Sequence, residues 1–122
     1  MRKKLEERLI DFSVLIFNLS KTSGKEYFKI YLINQLLRSS ASAALNYGES
    51  QSAESKKDFI HKISLVLKEL RESNINLKIL SKTKVIKDEQ LLNNALDESQ
   101  QLVSIFHKMV QTAKKRQTDV AI

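Results

Sequence analysis

The chain has 122 residues, a formal net charge of +7 and no cysteine or proline, and 42% of its residues are hydrophobic. This length predicts a single domain, residues 1–122, with enough apolar material for a core. The lack of cysteine excludes disulfides, thiol catalysis and cysteine-based zinc sites.

Four helical patterns follow one another, and the absence of proline with only two glycines favours long, uninterrupted helices. The first pattern covers about residues 3–21, and its apolar residues recur at the alternating spacing of one helix face: Leu5, Leu9, Phe12, Ile16 and Leu19. Ile10, Val14 and Phe17 repeat this spacing beside the first stripe. The first helix is therefore predicted to have an unusually broad apolar surface.

The second helix, about residues 25–50, is predicted to begin with a capping box formed by Ser23 and Glu26. Its core stripe is predicted to be Ile33, Leu37, Ser40, Ala44 and Tyr47. Between Ile30 and Gly48 the one charged residue is Arg38, although 29% of the whole chain is charged. This helix lacks the polar face of an ordinary surface helix, so we expect neighbours on every side of it.

The third helix, about residues 54–80, is predicted to begin near Ser52–Ser55 and to bury Ile60, Ile63, Leu67, Leu70, Asn74 and Leu77. A basic loop over residues 81–87 follows. Asp88 is predicted to cap the fourth helix, about residues 88–114, whose stripe is Leu92, Ala95, Ser99, Leu102, Phe106, Met109 and Ala113. Residues from about 115 to 122 are predicted to form a flexible tail.

Short connections make sequential helices antiparallel neighbours. We therefore predict an all-α fold, an up-down-up-down antiparallel four-helix bundle that assembles as a homo-oligomer. The polar residues of the second helix exclude a membrane span there. The charged first residues lack the apolar run of a cleavable signal peptide, so we predict a cytoplasmic protein with no membrane partner.

The polar residues of the second helix share one face: Arg38, Ser42, Asn46 and Glu49. This face is either the solvated side of the helix or a polar seam against another helix. The neighbouring run of small residues, 39–44, favours the seam because small side chains let a second backbone approach closely. A buried Arg38 then needs a carboxylate partner, and Glu69 and Glu72 of the third helix lie at the right height.

Candidate catalytic residues are scarce. His61 and His107 could outline a metal site together with Asp58, but the spacing typical of metal ligands is absent. The sequence also lacks a Ser/His/Asp arrangement, a glycine-rich phosphate loop and a paired-carboxylate signature. We therefore predict a protein that is not an enzyme and has no cofactor, metal or small-molecule substrate.

The positive charge allows a nucleic-acid partner. In the predicted bundle, the larger excess of cations lies at the end that holds the start of the first helix and the end of the fourth. The candidate nucleic-acid-binding residues there are Arg2, Lys3, Lys4, Lys56, Lys57, Lys114, Lys115 and Arg116. Basic residues interleaved with aromatic ones are absent, so contacts to RNA or DNA are expected to be to phosphates and mainly nonspecific.

Three segments, residues 37–49, 54–60 and 65–72, resemble a bacterial four-helix-bundle family encoded in 23S rRNA intervening sequences. The same fold is seen in the accessory protein of diversity-generating retroelements. The matching residues are Arg38, Ser39, Ser42, Asn46, Glu49, Phe59, Glu69 and Glu72. The chain departs from the family pattern at Gly48 and Ser50, which suggests that Gly48 lies inside the second helix and not at its cap.

The resemblance implies a homopentamer arranged around a central channel, a role in binding RNA or other nucleic acid, and no enzymatic activity. An alternative function is a protein–protein interaction scaffold without nucleic-acid binding. Which face of the second helix meets a neighbouring subunit stays open at this point.

Overall fold

The computed structural model describes residues 4–22 and 26–121, with side chains described as far as residue 117. The described residues form four α-helices: α1 (Leu5–Lys21), α2 (Tyr27–Ser50), α3 (Lys56–Thr83) and α4 (Glu89–Ala121). No β-strand occurs in this part of the chain, so the predicted all-α bundle is confirmed.

The helices are arranged in a ring in which each helix packs against the next and α1 packs against α4. The α2–α3 pair has the most extensive contact and the α1–α4 pair the least. Along α2 and α3 the partners run in opposite directions, since Arg38 pairs with Glu72 and the later Glu49 pairs with the earlier Lys62. The predicted antiparallel arrangement of sequential helices therefore holds for this pair.

The core consists of the inward stripes of all four helices. In α1 the buried residues are those that the spacing predicts, Leu9, Phe12, Ile16 and Leu19, while Leu5 is half-buried. The predicted stripe of α3 is buried over its whole length. Tyr47 of α2 and Phe106 of α4 meet across the core edge to face, with ring centroids 5.5 Å apart. This contact joins the two helices that are diagonal in the ring.

The core face of α2 differs from the predicted one. Its buried residues are Leu32, Ile33, Leu36, Ser39, Ser40 and Ala43, together with Lys29 and Ser50 at the two ends. Leu37, Ala44 and Tyr47 are only half-buried. At 100° per residue the observed face is rotated by about 60° from the predicted stripe. The rotation buries Leu32, Leu36, Ser39 and Ala43 in place of the predicted Leu37, Ala44 and Tyr47.

Two of the three predicted helix starts are confirmed. The Ser55 hydroxyl accepts a hydrogen bond from the Asp58 backbone N–H at 3.0 Å, and Asp88 accepts one from the Leu91 N–H at 3.0 Å. The predicted capping box of α2 is wrong: Glu26 is itself the N-cap residue, with no side-chain cap hydrogen bond. Its predicted partner Ser23 lies outside the described residues.

Gly48 lies inside α2, as its departure from the family pattern suggests. The ends of α3 and α4 differ from the predicted ones. The third helix continues to Thr83 and ends at Lys84, whose φ of 55° is left-handed. The predicted tail is helical as far as Ala121. Residues 114–117 contain no breaker and consist of good helix formers, so α4 persists without an apolar stripe.

The Asp88 cap gives a direct test of how α4 begins. Asp88→Ala is expected to lower the free energy of unfolding by about 1 kcal/mol, because the Leu91 N–H then loses its acceptor. Asp88→Asn keeps a side-chain oxygen at this position and is the matched control. Chemical denaturation of the three proteins measures the effect, and equal losses in both variants would contradict the capping role.

Candidate functional site

The candidate cations are divided between the described and the masked parts of the chain. Arg2 and Lys3 lie outside the described residues. Lys4 is exposed and forms the N-cap of α1. Lys56 and Lys57 are exposed and open the first turn of α3, immediately after the Ser55 cap. Lys4, Lys56 and Lys57 thus lie at the starts of α1 and α3.

The three consecutive cations of α4 point in different directions. Because the segment is helical, Lys114, Lys115 and Arg116 are separated by about 100° each around the helix axis. Arg116 lies with Lys56 at the edge of a hollow on the α3–α4 side, whereas Lys114 lies along a groove on the outer face of α3. The structure therefore brings Lys56 and Arg116 together and places Lys114 on another surface.

A cleft of about 680 Å³ opens at this end of the bundle, where the loosest helix pair, α1 and α4, meets the start of α3. Five apolar residues form most of its wall: Leu5, Phe59, Ile105, Met109 and Ala113. The polar lining residues are Arg8, Lys108, Thr112 and Arg116. None of the described residues that line the cleft is acidic. We call this hollow the Phe59 cleft.

Arg8 forms one wall of the Phe59 cleft and is held there by α4. Its guanidinium donates to Glu98 at 2.6 Å and to Gln101 at 3.3 Å. The hydrogen bond to Glu98 raises the pKa of Arg8 above its ordinary value. This pair ties α1 to α4 on one side of the cleft, while Lys108 and Arg116 are exposed.

Arg38 pairs with both of the carboxylates proposed for it. Its Nη2 donates to Glu72 at 2.9 Å and its Nη1 to Glu69 at 3.3 Å. The predicted burial of Arg38 is wrong, since its side chain is 53% exposed, whereas that of Glu69 is 12% exposed. The arginine covers a nearly buried carboxylate from the solvent side.

The predicted seam is discontinuous. Arg38 and Glu49 reach α3, the latter through Lys62 at 2.7 Å, but Asn46 donates to Ser42 within α2. Sequence reasoning missed the buried contact between the helices, in which the Ser39 and Ser73 hydroxyls lie 2.7 Å apart. Ser39 was a matching residue of the family pattern, which is the signal that could have found it.

A second buried polar contact joins α3 to α4. Asn74 Nδ2 donates to the Ser99 hydroxyl at 2.9 Å, and Ser99 donates to the Leu96 carbonyl at 2.8 Å. Both residues were predicted as members of core stripes without any predicted bond between them. Every buried side-chain nitrogen and oxygen of the described residues has a hydrogen-bond partner.

The carboxyl of Glu69 has a raised pKa. Burial is the largest cause, and the nearby Glu72 charge adds to it, while Arg38 opposes the rise. The folded protein therefore holds this proton more tightly than the unfolded chain does. The contribution of Glu69 to stability is fully present below the unfolded-state pKa and is lost as the pH rises through the folded-state pKa.

The suggested metal arrangement of His61, His107 and Asp58 does not form. In the part of the chain that the structure describes, no three side chains of metal-binding type lie close enough to hold an ion. His107 instead faces Arg71, whose Nη2 lies 3.0 Å from its Nδ1.

An apolar surface lies on the outside of the α1–α2 hairpin. Ile10, Val14 and Phe17 are 47–51% exposed. On α1 they lie about 150° around the helix from the core stripe. On α2 the exposed apolar residues include Tyr27, Ile30 and Leu45, with Leu45 70% exposed. We call this the hairpin face.

The hairpin face is not part of a membrane-spanning helix, because none of the four described helices is both long and apolar enough to cross a bilayer. The hairpin face explains in part why the sequence of α2 contains so few charged residues. One side of α2 fills the core, and the opposite side carries exposed apolar residues such as Tyr27 and Leu45 together with the exposed Arg38.

Residues 4–111 match the family described as 23S rRNA-intervening sequence protein. The chain belongs to this family. The resemblance that rests on residues 37–72 is thereby confirmed over most of the chain.

A solved structure of similar fold comes from Bacteroides thetaiotaomicron and is described as a protein with unknown function from the S23 ribosomal protein family. It is 28% identical in sequence, with a TM-score of 0.78, and the match covers 88% of this chain and 98% of that one. No curated protein matches the chain. Neither the family description nor that of the solved structure names an enzymatic activity.

Arg38→Ala is expected to lower the free energy of unfolding by about 1 kcal/mol at neutral pH, because Glu69 then stays charged and nearly buried without its partner. The loss should shrink as the pH falls and Glu69 takes up a proton. The control is Arg38→Ala in a Glu69→Gln background, where the loss should be smaller at neutral pH, and the two losses should converge as the pH falls. Denaturation at several pH values measures both, and a loss that is equal in the two backgrounds at neutral pH would contradict the role of Glu69.

Proposed function

We propose that this member of the 23S rRNA-intervening sequence protein family is a non-enzymatic cytoplasmic homopentamer that binds RNA through backbone phosphates. The observation that carries the proposal is the separation of charge over the surface. The cations Lys4, Lys56, Lys57 and Arg116 lie at one end of the bundle, whereas the side chains that define the hairpin face are uncharged, with Lys21 packed over the ring of Phe17.

The hairpin face supports self-association. Copies that each carry a net charge of +7 repel one another, so a second copy is best accepted through a surface without like charges. Large exposed apolar patches of this kind mark interfaces in soluble proteins. The number of five subunits comes from the family resemblance, and a ring of five would repeat the basic end of each bundle around one rim.

The basic end supports phosphate binding. Each copy presents cations from three helices that are far apart in sequence, and assembly multiplies their field. Neutralising phosphates releases condensed counterions, so the binding would depend steeply on salt. The name of the family associates it with the 23S rRNA, which makes structured RNA the first ligand to examine.

The hairpin face also favours a second candidate function, a protein-interaction scaffold that binds no nucleic acid. An apolar patch can accept another protein as well as another copy of the chain. Partner binding that survives removal of Lys114, Lys115 and Arg116, together with a lack of RNA binding, would favour this candidate over the first.

The first prediction concerns assembly. The wild-type protein is expected to have a solution mass near five times the 14.0 kDa of one chain, measured by light scattering after gel filtration. Val14→Glu should reduce this mass, because a charge then enters each hairpin face without a partner. Ser104→Glu, which adds the same charge at an exposed position of α4, is the control and should leave the mass unchanged. A monomeric wild type would contradict the proposal.

The second prediction concerns RNA. Affinity for a 23S rRNA fragment, measured by fluorescence anisotropy, should fall steeply as salt rises. The double variant Lys56→Gln, Arg116→Gln should weaken binding and reduce the salt slope by about 2 per chain in contact. Lys78→Gln, Lys82→Gln removes two exposed cations at the opposite end and should change little. Absence of binding even at low salt would contradict an RNA-binding function.

A further inference from the structure

Phe59 lies where three hollows of the surface adjoin. It lines the Phe59 cleft, a smaller hollow of about 210 Å³ towards Ile60, and a third of about 340 Å³ beside the α2–α3 loop. The first two hollows share Phe59, Ala113 and Arg116 as lining residues, so they adjoin, and we treat them together as one depression. The Phe59 ring is half-buried and presents part of its surface to this space.

Cations surround this depression. Lys56 precedes Phe59 by one helical turn on α3, and Arg116 and Lys108 approach from α4. Arg8 pairs with Glu98, which does not line the cleft. None of the described lining residues is acidic. The chemistry of the site is therefore an apolar, aromatic wall with a positive rim, which fits a ligand that has a flat apolar body and an anionic group.

We propose that the Phe59 cleft binds an unstacked nucleobase of RNA, with the base against the Phe59 ring and the adjoining phosphates at Lys56, Lys108 and Arg116. This inference rests on the proposed RNA-binding function and adds a preference for single-stranded segments. Thr112 also lines the cleft, and a threonine hydroxyl can both donate to and accept from a base edge.

The size of the site agrees with this ligand. Clefts that bind small molecules are typically about 300–1,000 Å³, and the Phe59 cleft is about 680 Å³. A base within a duplex is stacked on both faces and cannot enter such a cleft, whereas a base in a loop or bulge can turn outward. Stacking on an aromatic side chain tolerates any base, so the site selects strandedness and not sequence.

Sequence reasoning found no alternation of aromatic and basic residues and therefore predicted phosphate contacts alone. The fold supplies the alternation in space, because Leu5, Phe59 and Arg116 come from three different helices. The contact between α1 and α4 is the least extensive in the bundle, and this is what leaves room for the cleft.

The test compares a single-stranded RNA of about twelve nucleotides with the duplex of the same length, both bound to the full-length protein at low salt. Phe59→Leu keeps an apolar side chain but removes the aromatic ring. It should weaken single-strand binding by at least about fivefold and leave duplex binding unchanged. Phe28→Leu is the matched control, since Phe28 is exposed at the opposite end of the bundle, and it should change neither affinity.

The second measurement uses the wild-type protein and an RNA of the same length in which the bases are replaced by abasic sites. This RNA should bind at least about fivefold more weakly than the natural strand, because the phosphates remain and the bases are gone. The comparison decides the question even where Phe59→Leu lowers the stability of the fold.

The outcomes separate the two proposals. Equal affinity for natural and abasic strands, or for wild type and a folded Phe59→Leu, would overturn base binding and leave phosphate binding intact. No affinity for any of the RNAs at low salt would overturn the RNA-binding function, and the inference with it. Weaker binding of both the abasic strand and Phe59→Leu, with an unchanged duplex affinity, is the expected result.

Discussion

The buried contact between Ser39 and Ser73 fixes the packing of α2 on α3, the most extensive helix pair of the molecule. The two hydroxyls are 2.7 Å apart, and each also lies within hydrogen-bonding distance of a carbonyl of its own helix, that of Leu36 or of Glu69. Two hydroxyl protons serve three contacts, so one serine donates across the interface while the other donates to its own backbone. Only small side chains fit at this contact, and only one register of α2 against α3 brings the two hydroxyls together.

The rest of the α2–α3 interface follows from that register. The Arg38 pairs with Glu69 and Glu72 lie beside it, and the pair of Glu49 with Lys62 lies further along in the same alignment. In its middle turn the buried face of α2 consists of small residues, Ser39, Ser40 and Ala43, whereas Leu32, Ile33 and Leu36 of the same face fill the core. The small residues let α3 approach closely. Other large side chains, such as Leu45, lie on the outside.

The sequence predicted the helices well where hydrophobic residues define a stripe. In α1 and α3 the longest regular stripe of leucine, isoleucine and phenylalanine is the buried one. In α2 the stripe was misplaced by about 60°, since apolar residues occur on several sides of this helix and two serines, Ser39 and Ser40, are buried. The prediction ended α4 too early because it relied on the stripe of buried residues, whereas the last part of this helix is helical without being buried.

The Phe59 cleft could not be predicted from the sequence at all. Its walls join positions more than a hundred residues apart, and no local spacing reports which helix ends come together or how tightly they pack. The pairing of Arg38 could be predicted from the sequence, because the antiparallel alignment of neighbouring helices sets the height of each residue along the bundle. The exposure of Arg38 could not be predicted, because it depends on the rotation of α2 about its axis.

The length of α4 has a consequence for how quickly the proposed RNA ligand would bind. With 33 residues it is about 50 Å long, whereas the 28 residues of α3 span about 42 Å. Lys115 and Arg116 therefore lie close to the limit of the packed bundle, where little protein stands between them and the solvent. The electrostatic screening length in the cell is about 8 Å. Cations at such a margin act on an approaching polyanion before contact, so their main effect would be on the association rate and less on the lifetime of the complex.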